Sequence, residues 1–474
     1  MFVGRSVELE VLKNYYRKSE SQLICLYGRR RIGKSELLKK FGEQTNFLYF
    51  EGIEGGKTPA QIKNIVVQLK EQIHDTNLYR LDLSSWDAIF LYLSEYIKTQ
   101  KSKKLMIVFD EFQWMAAGQS KLVSLLKSYW DRYLLKQNVL LVLCGSIASF
   151  MIKKVVKSNA LYGRIDLVQN VQALKIQEAQ LFFKYKTPRE LINYFCIFGT
   201  VPKYLTLIQA EKSFDKNICE LFFSKDAYFL TEVEKIFFNH FKESHTYKLI
   251  VIALVENGPL TIEEISKKIN MSSGGGVKSY IDNLCLAQFI VPITNFAFKE
   301  KKSKKYKIID PYLYFYFRCV YPYLNGIENG QGQSIYNNKV KPLLNTNLGF
   351  AFENLCRLHI NEILHNLGIQ ESVIDIGNYS VKGKRNNKGL QVDIALRFHD
   401  QSLGIVEIKN ANSDKLKMYQ KEIELKKDIL FKIEKKNIYS YLILSSIERK
   451  KITQKNDQTS LNVFAFEALF EKTN

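Results

Sequence analysis

The chain has 474 residues, 46% of them apolar and 25% charged; this is the composition of a packed protein of about three domains and excludes long disordered stretches. Lys and Arg number 69 against 48 Asp and Glu, a formal charge of +21, which favours a polyanionic partner with DNA first among them, although lysines that only solvate a surface give the same total. The seven cysteines are scattered without a CxxC pair, MFVGRSVELE has no apolar h-region, and the longest uncharged apolar stretch, Val139 to Ile152, is broken by Gly145, Ser146 and Ser149, so buried reduced thiols, no leader peptide, no membrane span and a cytoplasmic protein are expected.

From the start to about residue 240, short apolar runs alternate with amphipathic stretches, as in a parallel sheet covered by helices. Core strands are expected at Gln22 to Tyr27, Lys104 to Asp110 and Val139 to Cys144. Between the first strand and the helical pattern from Ser35 lies Gly28-Arg29-Arg30-Arg31-Ile32-Gly33-Lys34-Ser35, a complete P-loop octet. Its glycines let backbone N–H groups turn towards the phosphates of ATP, and the helix N-terminus adds positive potential. Lys34 is placed to bridge the terminal phosphates, Ser35 to put its hydroxyl on Mg²⁺, and Glu36 to continue the site into the helix. The run Leu105 to Phe109 delivers Asp110 and Glu111 to a strand end, where open α/β sheets bind ligands. Asp110 is expected to hold Mg²⁺ or its waters, and Glu111 to orient and deprotonate the attacking water. Ser146, after the third strand, either reports on the γ-phosphate or caps a loop.

From about Ser244 to Pro322, three helical stretches precede two strand-like runs, Phe289 to Phe298 and Lys304 to Ile309, the arrangement of a winged helix. Thr261 with Glu264 forms a capping box for the middle helix. Met271 to Phe289 is expected to carry the recognition helix, with Lys278 and Tyr280 near its start, and a wing bearing Lys299, Lys301, Lys302, Lys304 and Lys305. Those lysines either lie along phosphates or are solvated on a module that packs against the core. Gly, Asn and Gln residues from Asn325 to Asn338 then read as a linker.

The last segment runs from a helix, Gly349 to Gly368, through strands near Gln391 to Arg397 and Gly404 to Lys409 to a charged helix from Lys415. It contains Asp393, then thirteen residues, then Glu407-Ile408-Lys409. The strand period of two points Glu407 and Lys409 to one face, and a paired strand can bring Asp393 beside them. Asp393 and Glu407 could then hold Mg²⁺ while Lys409 activates a hydrolytic water, with Glu353 entering from the preceding helix.

Two resemblances follow from these motifs. Phe2-Val3-Gly4-Arg5 with Glu8-Leu9, the octet from Gly28 to Ser35, Phe109-Asp110-Glu111-Phe112, Gly145-Ser146, Tyr162-Gly163-Arg164 and Gly199-Thr200-Val201-Pro202-Lys203-Tyr204 together resemble the archaeal-type ATPases of the AAA+/STAND lineage. The resemblance implies that Val3, Gly4 and Arg5 lie beside the adenine, and that Arg164 is either an arginine finger or sensor or a salt-bridged surface residue. Thr200 departs from the Gly usual at its position. Asp393, Glu407, Lys409 and Gln420 resemble the PD-(D/E)xK nuclease fold, which such ATPases often carry as a C-terminal domain of unknown function. Cleavage and a binding-only relic both stay open. The whole is read as α/β: a P-loop NTPase parallel sheet with a helical lid over residues 1–240, a winged helix over 241–324, a linker over 325–344 and a restriction-endonuclease-like α/β domain over 345–474. Two functions stay in play, an ATPase acting on DNA with metal-dependent cleavage and a STAND-like regulatory switch, with a homo-oligomer or a protein partner left open.

Overall fold

The computed structural model describes residues 2–100, 104–116, 120–240, 244–272, 275–298, 304–383, 389–446 and 461–471. The chain divides into two compact units, Met1–Leu174 and Lys175–Asn474. In the first, five parallel strands, β1 (Gln22–Tyr27), β2 (Asn46–Glu51), β3 (Leu105–Asp110), β4 (Val139–Gly145) and β5 (Leu167–Asn170), lie in the order β2-β3-β4-β1-β5. β3 and β4 are buried along their whole length and β1 up to Tyr27, because a parallel sheet is covered on both faces.

The strand period of two sorts the side chains. Leu23, Cys25, Phe50, Ile107 and Phe109 join one core with Trp86, Phe90 and Trp130. Ile24, Leu26, Met106 and Val108 join the other with Leu37, Leu38 and Phe41 of the helix Lys34–Gly42. Asp110 continues the second series and so emerges on the face that this helix covers. Tyr49 of β2 packs on that same core, paired in register with Val108.

In the second unit, the helix Pro188–Phe198 starts at a capping box in which Thr187 and Glu190 satisfy each other's backbone N–H groups. Phe198, Tyr204, Phe222, Phe229 and Tyr312 pack ring against ring, with neighbouring centroids 4.7 to 6.2 Å apart. This cluster corrects the expected boundary at residue 240: the helices after Lys175 share their core with residues beyond 310, so they belong to the second unit. The expected linker, 325–344, is likewise helical and packed. Ile327 and Tyr336 are buried in it, and Tyr336 lies against Phe223 with its hydroxyl donating to Asp215 at 2.5 Å. Gly332 in it reflects close approach, since a Cβ there would come 1.7 Å from the Phe223 carbonyl oxygen.

Three helices, Ser244–Asn257, Ile262–Lys268 and Gly275–Leu286, precede an antiparallel hairpin of β6 (Ile290–Thr294) and β7 (Lys304–Ile308), and Leu260 bridges Tyr306 as a third rung. The hairpin docks on a further sheet. β8 (Val373–Val381), β9 (Leu390–Phe398), β10 (Leu403–Lys409), β11 (Ile438–Leu444) and β12 (Leu461–Ala465) lie in the order β12-β11-β10-β9-β8, with β8, β9 and β10 antiparallel to their neighbours in turn and β10, β11 and β12 parallel. Asn295 pairs with Asn378 at the β8 edge and clasps Ser380, accepting from its N–H at 3.1 Å and donating to its carbonyl at 2.8 Å. The Phe296 ring lies under the Arg397 guanidinium, 4.3 Å from ring centre to Cζ. The helix Leu416–Glu434 covers the sheet with Tyr419, Ile423 and Leu430. The single helix expected from Gly349 to Gly368 is two, Leu344–Leu358 and Ile360–Asn366, with His359 between them out of helical geometry. No helix among the described residues is long and apolar enough to cross a membrane.

Candidate nucleotide site and C-terminal carboxylate cluster

β1 ends at Tyr27 and the chain turns at Gly28, where a Cβ would meet the Val171 carbonyl oxygen at 2.4 Å. Gly33, at φ 83°, supplies the left-handed step that starts the helix Lys34–Gly42. Ile32 is buried in the core beneath the loop, which fixes it from below. Lys34 is buried, its Nζ donating to the carbonyls of Gly28 and Arg29 at 3.0 Å each. Ser35 donates to Asp110 Oδ2 at 2.5 Å, Tyr49 donates to the same oxygen at 2.6 Å, and the Glu111 N–H donates to Asp110 Oδ1 at 2.8 Å. Asp110 has no exposed surface. Burial alone would raise its carboxyl; hydrogen bonds from Cys144, Ser35 and Tyr49 and the charge on Lys34 outweigh that and hold it below its ordinary value. The result is an ionised carboxylate and a hydroxyl converging on one point beside a buried ammonium.

Glu111, in left-handed backbone geometry at φ 49°, turns out of the strand. Its carboxylate accepts from Ser146 Oγ at 2.8 Å and from the Gln113 amide, which also donates to Ser146 Oγ at 3.2 Å. Arg5 is buried, and its guanidinium donates to the Ile32 carbonyl at 2.6 Å and pairs with Glu8 at 2.8 Å. That contact buttresses the loop. Val3, Gly4 and Arg31 are half-buried, and Glu36 is exposed. Arg29 is buried, and Arg30 forms a 2.7 Å ion pair with Glu54. Arg164 is not brought to this loop. It forms a bidentate pair with Asp131 at 2.7 and 2.8 Å and lines a cleft with Glu20, Ser21 and Gln22, at the start of β1 and the far end of the strand from Gly28.

The second unit gathers the C-terminal residues. Continuing the β9 to β10 register from Ile394 and Val406 sets Asp393 opposite Glu407, and Asp393 Oδ2 accepts from the Ile408 N–H at 2.9 Å. Glu407 is buried, with Lys426 Nζ at 2.8 Å and Lys409 Nζ at 3.5 Å from Oε2. Lys409 and Lys426 also reach Glu422, at 3.4 and 3.3 Å. Glu353 faces Lys307 of β7 at 3.8 Å. Arg357 donates to the Asp393 carbonyl at 2.8 Å and to Asn378 at 2.6 Å. Burial first, and the Asp393 charge second, push the Glu353 and Glu407 carboxyls up to about 7. Burial lowers Lys307 against the pull of Glu353, and lowers Arg357 to about 10. Among the described residues no group of three or more His, Cys, Asp or Glu is arranged to hold a metal ion.

Residues 2–207 match a family model described as an ATPase domain predominantly from Archaea. The chain carries a P-loop ATPase domain. Residues 316–427 of this ATPase match a second family of archaeal and bacterial proteins of unknown function. An uncharacterized protein of Methanocaldococcus jannaschii is 28% identical over 417 residues, 86% of this chain and 87% of its own length. An uncharacterized ATP-binding protein of the same organism is 54% identical over 43 residues, 9% of this chain and 73% of its own. A Walker-type ATPase of Pyrococcus abyssi has the same fold with a TM-score of 0.51 at 18% identity, covering 67% of this chain and 96% of that one.

Sequence reasoning missed six members of these sites in the ATPase: Tyr49, Gln113, Lys307, Arg357, Glu422 and Lys426. Tyr49 was hidden because β2 was not read as a strand; Gln113, two residues past Glu111, carried no motif. Lys307 sat in a stretch read as wing, not as part of the C-terminal cluster. Of the wing lysines, Lys299, Lys301 and Lys302 lie outside the described residues, Lys304 sits 5.8 Å over the Tyr306 ring and Lys305 pairs with Glu264 at 3.8 Å. Lys278 is exposed on Gly275–Leu286, while the Tyr280 ring packs edge-on against Tyr247 at 4.9 Å.

Proposed function

We propose that this ATPase binds Mg-ATP at residues 28–35, hydrolyses it with Asp110 and Glu111, and does so in contact with DNA. The observation that carries the reading is the convergence of Ser35 Oγ and Asp110 Oδ2, 2.5 Å apart, beside buried Lys34. Two hard oxygen donors at one point fit Mg²⁺. The chemistry Mg²⁺ supplies there when bound is charge neutralisation across the β- and γ-phosphates. The loop N–H groups from Gly28 to Gly33 hold the phosphates, and Lys34 exchanges its two carbonyl partners for phosphate oxygens. Glu111, handed over from Gln113 and Ser146, orients and deprotonates the attacking water, so Ser146 links the occupancy of the γ-phosphate to the release of the base. Val3 and Gly4 flank the base, and Arg5 acts through the Ile32 carbonyl. Arg164, at the far end of β1, acts on a nucleotide only from a second copy. The formal charge of +21 and exposed Lys278 support a DNA partner.

ATP turnover with and without DNA tests this for the intact chain beside Lys34→Ala and Glu111→Gln. Lys34→Ala should lose nucleotide binding; Glu111→Gln should bind ATP and turn it over at least about 100-fold more slowly. Equal turnover by all three proteins removes the reading, and turnover indifferent to DNA at low salt removes its DNA part.

A second reading, a slow nucleotide-dependent switch whose C-terminal domain binds without cleaving, is favoured by the ion pairing of the C-terminal carboxylates. As they stand these residues do not fit Mg²⁺. Asp393 Oδ2 is engaged by a backbone N–H and Glu407 Oε2 by two ammonium groups. Single-turnover hydrolysis with light scattering in each nucleotide state separates the readings: a fast single turnover without change of assembly rules out the switch.

A further inference from the structure

β10 runs from Leu403 to Lys409, so Glu407 and Lys409 lie towards one end of it, and a cavity of about 460 Å³ opens beside the other. Its walls are aromatic. The strand period turns Tyr439 and Tyr441 of β11 to one face. Phe398, the last residue of β9, meets Tyr439 edge-on, with centroids 5.4 Å apart and ring planes at 74°. Gly404 pairs with Tyr439 in register, and a Cβ on it would stand 3.0 Å from Phe398 Cε2, so the Phe398 ring lies against bare β10 backbone. Glu371 and Asp400 stand exposed at the rim. Ser402 holds Asp400 in place, donating to its Oδ1 from the N–H at 2.9 Å and from the hydroxyl. No Lys or Arg is among the described residues that line the cavity. Tyr441 lines it while only 5% exposed, and no described residue hydrogen-bonds its hydroxyl. A nearly buried hydroxyl without a partner is costly until something in the cavity meets it.

We propose that this cavity receives an arginine side chain from a basic segment of a partner protein. A guanidinium fits every part of the lining. Its plane stacks on aromatic rings, its five N–H groups fork to carboxylates and reach the Tyr441 oxygen, and it sheds water more readily than an ammonium. Nucleic acid does not fit, because two carboxylates and no cation would face its phosphates. The cavity is larger than one guanidinium, so it has room for the backbone that carries the side chain. In a chain of formal charge +21, it is a place where a basic partner meets attraction instead of repulsion.

Calorimetric titration of the intact chain with the capped peptide acetyl-Ala-Arg-Ala-amide tests this, beside its citrulline and lysine versions, agmatine and adenosine, with thermal melting to confirm that each variant folds. The arginine peptide should bind at least about tenfold more tightly than the citrulline peptide, which has nearly the same shape and no charge. It should also bind more tightly than the lysine peptide. Glu371→Gln combined with Asp400→Asn should weaken it about tenfold, Tyr441→Phe about as much, and Tyr439→Ala about fivefold. Tyr439 is exposed, so its variant carries the test if Tyr441→Phe does not fold. Equal heats from the arginine and citrulline peptides overturn the proposal, as does unchanged binding by the folded variants. Adenosine bound in place of the peptide, and lost in Tyr439→Ala, overturns it in favour of a base-stacking pocket. Agmatine bound as tightly as the peptide overturns the partner segment, leaving a small guanidine as the ligand.

Discussion

Removing one hydroxyl from Tyr49 should destabilise the nucleotide site by an amount the structure lets us work out. In Tyr49→Phe the ring keeps its packing against Phe47, with centroids 5.9 Å apart, and its place under the Lys39 ammonium. What is lost is the 2.6 Å hydrogen bond to Asp110 Oδ2. A hydrogen bond to a charged group contributes roughly 1.5–3 kcal/mol, and the carboxylate left behind has no exposed surface through which water could replace the donor. A loss of about 2 kcal/mol in a unit of this size lowers its Tm by roughly 4–8 °C. The pH dependence has a definite sign. Asp110 is held below its ordinary value, so its contribution is present above the unfolded value of about 3.9 and is lost as pH falls through the folded one. Deleting Tyr49's hydroxyl raises that folded value, so the deficit should be full at pH 7 and shrink as the carboxyl protonates. Calorimetric melting from pH 7 to pH 3 reads both. A variant that melts within about 1 °C of the parent at pH 7, or with the same deficit at every pH, refutes the claim that this hydroxyl stabilises an ionised Asp110.

Three further outcomes follow from packing and charge. Gly332→Ala puts a Cβ 1.7 Å from the Phe223 carbonyl oxygen, so it should cost more than about 2 kcal/mol, whereas Gly349→Ala, with nothing within 4 Å on the helix Leu344–Leu358, should gain up to about 1 kcal/mol; equal urea midpoints would restore the linker interpretation of 325–344. Glu353 and Glu407 titrate near about 7 in the folded chain against about 4.3 unfolded, so the unfolded state sheds their protons first and the second unit should lose stability as pH rises from 5 to 8. Glu407→Gln should flatten part of that slope in urea titrations, and a parent slope of zero would contradict the assignment. Arg164→Ala should leave single-site nucleotide affinity within about twofold, because its partner is Asp131 at the far end of β1; a larger loss in a monomer at high dilution would place it at the P-loop after all.

The sequence was most readable where one local rule dominated. β1, β3 and β4 are continuous apolar runs, and the P-loop and the Asp110-Glu111 pair are fixed by their ends; the strand boundaries expected there agree with those found to within a residue. β2 and β5 sit at the two edges of the sheet; β2 has an apolar run of only four residues, Phe47 to Phe50, between Asn46 and Glu51, and β5 only Leu167 and Val168 before Gln169 and Asn170, runs too short to stand out as buried strands. Tyr49 was lost with β2. The stretch 325–344 was misjudged for a different reason: glycine signals a turn in sequence, but at Gly332 it signals that a backbone passes through the space a side chain would fill. The helical lid was assigned to the wrong unit because residues such as Tyr204 and Tyr312, 108 positions apart in a chain of 474, announce their contact only in three dimensions.

The two acidic sites differ in what surrounds their carboxylates. Around Asp110 the donors are mainly neutral: two hydroxyls and a backbone N–H hold it ionised, and the nearby ammonium of Lys34 is itself bonded to loop carbonyls. Neutral donors orient a carboxylate without cancelling its charge, so a divalent cation arriving with a nucleotide finds the attraction intact. Around Glu407 and Glu353 the partners are ammonium groups, and a cation must displace or outcompete each of them. The same residue types therefore meet neutral donors in the first unit and ammonium groups in the second. Two carboxylates at motif spacing do not by themselves define a metal site; the charge of their partners decides whether a metal can enter, and around Glu407 those partners are the ammonium groups of Lys409 and Lys426.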